Sequence, residues 1–109
     1  MITGSATQEK WLAEMGEVAH GIAPDVDVIS FKGIFRFAIA GALLDHHIEA
    51  WESLEHKDGE TRRRFMESVL KHAADRIAGL GLSTEKIAAI DKGLHQQMLD
   101  HIKKLEAKA

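Results

Sequence analysis

The sequence predicts an all-α fold, a small up-down bundle of four helices in which a short first helix packs across three longer antiparallel ones. Three observations carry this expectation. Apolar residues recur at spacings of three and four in four separate stretches, the pattern that gathers them on one side of a helix. Those stretches are separated by residues that interrupt helices, namely Pro24-Asp25, Asp58-Gly59 and Gly79-Leu80-Gly81. No run of four or more residues alternates apolar with polar as a half-buried strand does, and β-branched or aromatic clusters are few. A length of 109 residues fits one domain, and 45% hydrophobic content suffices for a core that buries roughly 65% of the surface of the unfolded chain.

Residues 1–6 are small and polar and read as a disordered arm, which leaves 7–109 as a single helical domain. The first helix is predicted over Gln8–His20, where Trp11, Leu12, Met15, Val18, Ala19 and Ile22 share a face, with Thr7 placed to cap it and Gly21 to stop it. A loop containing Pro24, Asp25 and Asp27 leads into the second helix. That helix, Ser30–His56, is the expected centre of the domain, and at about 100° per residue it carries two apolar faces. One runs its whole length through Phe37, Ala40, Leu44, Ile48 and Trp51, with Leu54 on its flank. The opposite face carries Phe31, Ile34, Phe35, Ala38 and Ala42 and then turns polar as Asp45, Glu49, Glu52 and His56. The continuous face is expected to pack on the third and fourth helices, with the first helix left to cover the other. Gly59 ends the second helix and Asp58 caps the third, Glu60–Ala78, whose stripe is Phe65, Met66, Val69, Leu70, Ala73, Ile77 and Leu80. After the glycine-rich break, Ser83 caps a fourth helix, Thr84–Lys104, with Ile87, Ile90, Leu94, Met98, Ile102 and Leu105 in line. The expected core is Trp11, Met15, Phe37, Leu44, Ile48, Val69, Ala73, Ile77, Leu94 and Met98.

Composition excludes several functions. A net charge of −3 with no polybasic stretch beyond Arg62-Arg63-Arg64 argues against nucleic-acid binding. The absence of cysteine removes disulfides, thiolate catalysis and cysteine-held clusters. The N-terminus has neither the basic start nor the apolar core of a signal peptide, so a cytoplasmic location is expected. The most apolar window, Val26 to Leu44, contains Asp27, Lys32 and Arg36, each costing about 2.5–3.5 kcal/mol near a bilayer centre, and no membrane span is expected.

Seven histidines make the chain histidine-rich and invite a metal or haem reading. On a continuous second helix, Asp45, Glu49, Glu52 and His56 would project from one side, and His46 and Glu49 would lie three apart, so His46, Glu49, Glu52 and His56 are the candidate metal ligands. His72, His95 or His101 could complete such a site from other helices. No Glu-x-x-His occurs, so a carboxylate-bridged dimetal centre lacks its usual motif. His95 with Asp100 and His56 with Glu60 match two ligand spacings of the haemerythrins, but the His-x-x-x-His pair of that family is missing. His72 is not followed by the Lys-Gly of a histidine phosphotransfer domain. His101 and Asp91 are the polar residues of the fourth helix expected to turn inward. A pocket lined by Trp11, Phe35, Phe37 and Trp51 is a further expectation, for a small ligand.

With no nucleophilic set and no phosphate-binding loop, the leading expectation is a non-enzymatic protein that acts through association, most simply as a homodimer. The predicted interface is Phe31, Ile34, Phe35, Ala38 and Ala42. It rests on a count of faces, because the second helix alone presents two.

Overall fold

The computed structural model describes residues 6–108, and all the regular structure among them is helical. Four α-helices, α1 (Ala6–Ile22), α2 (Val28–Asp45), α3 (Gly59–Ala78) and α4 (Thr84–Lys108), are joined by short connections, with a 3₁₀ segment at Trp51–His56 between α2 and α3. Of the expected N-terminal arm, residues 1–5 lie outside the described residues, and Ala6 already belongs to α1.

The helices form a ring in which α1 packs on α2 and α4, and α3 packs on the same two. Cross-helix contacts give the directions. Glu9 meets Arg36 while Gly16 faces Val28 and Lys32, so α1 and α2 are antiparallel. His72 meets Asp45 while Arg76 lies over Phe37, so α2 and α3 are antiparallel too. The first helix, at 17 residues the shortest of the four, runs antiparallel to α2 and packs on α2 and α4 in an up-down bundle, as expected. Its approach to α4 is close, since a Cβ on Gly93 would stand 2.8 Å from Val18 Cγ1.

Asp58 and Ser83 cap α3 and α4 as expected and Asp27 caps α2, whereas Thr7, expected to cap the first helix, lies inside α1, which begins at Ala6. Asp27 Oδ1 accepts from the Ser30 amide at 2.7 Å and Asp58 Oδ1 from the Thr61 amide at 2.7 Å, each satisfying an otherwise orphaned N–H at a helix start. Ser83 Oγ accepts from the Lys86 amide at the start of α4, after Gly81 has turned the chain with a φ of +77°.

One expected element is wrong. The continuous helix Ser30–His56 breaks after Asp45. His47 takes the left-handed conformation, with φ 53°, its amide donates to Leu44 O, and the Ile48 amide donates back to Leu43 O. That pair of bonds is the Schellman arrangement, which satisfies the last carbonyls of a helix and turns the chain sharply away. The turn folds residues 46–56 over one end of the bundle, where Trp51 and Leu54 plug the core. Trp51 sits between Trp11, Phe65 and His101, with ring centroids 5.3, 5.9 and 5.4 Å away respectively.

The break reassigns the faces of α2. Phe31, Phe35, Ala38, Ile39 and Ala42 are buried among α1 and α3, while Phe37 and Leu44, both expected in the core, point outward. The remaining expected core residues, Trp11, Met15, Ile48, Val69, Ala73, Ile77, Leu94 and Met98, are all buried.

Candidate functional site

Because the buried stripe of α2 is so regular, its opposite side is defined as sharply. Ile29, Gly33, Phe37, Ala40 and Leu44 lie within about 80° of one another around the helix axis, over about 22 Å of its length. All five are exposed. Ile29, Phe37 and Leu44 expose 81%, 56% and 78% of their surface, against none for Phe31 and Phe35 on the inner side. An exposed leucine alone means little, but three large apolar residues in line on one helix make a patch.

Charged pairs border this patch on both sides. Toward α1, Arg36 donates to both oxygens of Glu9, at 3.1 and 3.2 Å. Toward α3, the Arg76 guanidinium lies 3.7 Å from the centre of the Phe37 ring, a cation–π contact that covers one face of the ring. Beyond it, His72 Nε2 donates to Asp45 Oδ2 at 2.7 Å, and that hydrogen bond holds the Asp45 carboxyl below its usual range. The His72 ring reaches Asp45 across Gly41, where a Cβ would come within 3.1 Å of it.

The interface expected at Phe31, Ile34, Phe35, Ala38 and Ala42 is not available. Four of these residues are fully buried in the chain's own core, and Ile34 packs partly buried against it, because α1 and α3 together cover this face. The proposed metal ligands fare no better. His46 caps the end of α2 with its ring edge-on to Phe65, Glu49 lies in the turn that follows, and Glu52 and His56 belong to the 3₁₀ segment. The helical spacing that would align them ends at Asp45. Among the described residues, no three histidine, aspartate or glutamate side chains converge as a metal site would require. His72 and His95 each face one aspartate, Asp45 and Asp91 respectively, and His101 is buried beside Trp51. Asp91, expected to turn inward, is exposed. The ligand pocket expected among Trp11, Phe35, Phe37 and Trp51 does not assemble either. Trp11 packs edge-on to Phe35 and against Trp51, whereas Phe37 is on the far side of α2.

Sequence reasoning missed Arg62. Named in the sequence only as part of a short basic run, it is buried, and its Nη1 donates to Lys57 O at 2.7 Å and to Leu54 O at 3.5 Å, which fastens the end of the 3₁₀ segment to α3. A signal was present, since Arg62 stands three before Phe65, four before Met66 and seven before Val69, in line with the buried stripe of α3.

No helix among the described residues is long and apolar enough to cross a membrane. No protein-family model matches the chain, and neither a curated protein nor a solved structure matches it.

Proposed function

We propose that this protein acts through association, as a homodimer formed by the outer face of α2. The observation that carries the reading is the exposure of Ile29, Phe37 and Leu44 on one helix face with the small residues Gly33 and Ala40 between them. The order along the helix is large, small, large, small, large, and it is nearly symmetric about a point between Arg36 and Phe37. Two copies of α2 crossing antiparallel about a two-fold axis at that point set Ile29 against Leu44 of the second copy and Gly33 against its Ala40. Phe37 then lies beside the second copy's Phe37 along one edge of the interface, and Arg36, about 100° away around the helix, lies along the other edge, where Glu9 pairs with it. A surface complementary to itself is what a two-fold interface needs, and small residues let the two backbones approach. Nothing in the chain's own packing requires Gly33, because a Cβ there would meet no atom within 4 Å.

Burying the exposed parts of six large side chains yields on the order of 10 kcal/mol. Association costs at least about 4 kcal/mol, so the dimer is weak, with a dissociation constant of about 0.1 mM. Sedimentation equilibrium from about 10 to 500 µM then detects a monomer–dimer exchange. Phe37→Glu combined with Leu44→Glu abolishes it without loss of helical circular dichroism, since both residues are outside the core. A wild-type chain that stays monomeric across this range sinks the reading.

A further inference from the structure

At the end of the bundle plugged by Trp51, the seam between α1 and α4 opens into a cavity of about 350 Å³. It is bordered by the first turns of α1 and the last turns of α4, far along the sequence from the outer face of α2. We infer that this cavity is a binding site for a small monoanion with an aromatic or branched apolar body, an arylcarboxylate in the simplest case.

The size is right, at the lower end of the range of about 300–1,000 Å³ typical of small-molecule sites. The lining is mostly apolar, with the rings of Trp11 and His101 as its innermost, buried residues and Ala107 on one wall. Trp11 supplies a flat aromatic surface: its ring borders the cavity, while its Nε1–H is closed off from it and has no acceptor among the described residues.

The mouth decides the charge. Lys10 on α1 and Lys104 on α4 converge there from the two helices, and neither forms an ion pair among the described residues. Across α1, Glu14 borders the cavity one turn further on. Two ammonium groups against one carboxylate leave one net positive charge, which favours a single negative charge over a dianion such as phosphate. An apolar body against Trp11, with a carboxylate at the lysines, satisfies both halves of the site.

The test is a titration of the full-length, ¹⁵N-labelled protein with sodium 2-naphthoate, followed by two-dimensional NMR to about 5 mM, since a ligand of this size binds at about 1 mM or tighter. The expected result is a saturable shift of the Trp11 indole N–H and of amides in 7–14 and 101–107. Lys10→Ser combined with Lys104→Ser weakens the acid by about fivefold, and the neutral 2-naphthamide binds the wild type more weakly by a similar factor and is indifferent to that change. Ala107→Trp, at an exposed helix position, fills the cavity and removes the shift. Absence of saturation, equal affinity for acid and amide, or shifts centred on 29–44 of α2 would each overturn the assignment. Equal response to inorganic phosphate overturns it as well.

Discussion

His47→Gly tests the turn on which the whole topology depends. His47 is an exposed, non-glycine residue held at φ 53°, in the position of a helix-ending motif that glycine normally occupies. A side chain in this conformation costs about 1–2 kcal/mol, part of which glycine returns through the greater freedom of its unfolded chain. The net expectation is a gain of about 0.5–1 kcal/mol, which for a domain of this size raises the thermal midpoint by about 2–8 °C. The same substitution inside a continuous Ser30–His56 helix would cost about 0.5–1 kcal/mol, so the two architectures differ in sign and not merely in size. Thermal unfolding followed at 222 nm decides between them, with His47→Ala as a control that keeps the strain. If glycine lowers the midpoint by several degrees while alanine raises it, α2 does not end at Asp45.

Arg62→Met keeps the volume of the buried side chain but leaves the Lys57 carbonyl without its donor, while Leu54 O keeps the Lys57 amide; urea unfolding is expected to show a loss of about 1–3 kcal/mol, accompanied by a change in tryptophan emission as the segment carrying Trp51 loosens. The Asp58 carboxyl lies below its ordinary value because the Thr61 amide donates to it, so its contribution is present above about pH 4 and is lost as pH falls through its folded value. Asp58→Asn keeps an acceptor for that amide, so melts between pH 7 and pH 2 should show the wild type losing more of its midpoint than the variant does. Asp58→Ala lowers the midpoint at pH 7 by about 4–8 °C.

Much of this fold is legible in the sequence because helices three and four are written redundantly. In α3, the cap at Asp58, the stripe from Phe65 to Ile77 and the stop at Gly79 all agree, and the observed helix, Gly59–Ala78, begins within one residue of the predicted start. The turn at His47 has no such redundancy. Asp45-His46-His47 contains neither glycine nor proline, histidine tolerates the left-handed region better than most residues, and nothing local distinguishes this end from a helix that continues. What forces the turn is tertiary, since it brings Ile48, Trp51 and Leu54 into the core, and three large side chains are worth more than a further turn of exposed helix. The candidate ligand set built from His46, Glu49, Glu52 and His56 depended on that extra length and fails with it.

The same turn explains why the two faces of α2 were exchanged. Phe37 and Leu44 look like core because, on an unbroken helix, they align with Ile48 and Trp51, which are buried. Once the chain turns at His47, Ile48 and Trp51 reach the core by another route, and the alignment carries no information about Phe37. The inner stripe is then chosen by how well each face fills the space between α1 and α3. Phe31, Phe35, Ala38, Ile39 and Ala42 offer two stacked rings, 6.3 Å apart, and small residues where the neighbours come close. Counting faces survives this exchange. Whichever face is inside, α2 has more apolar surface than its place in a four-helix ring can bury, and the surplus falls on Ile29, Phe37 and Leu44. A two-fold association through α2 would therefore use its outer side, and Ile29, Phe37 and Leu44 are the residues to mutate.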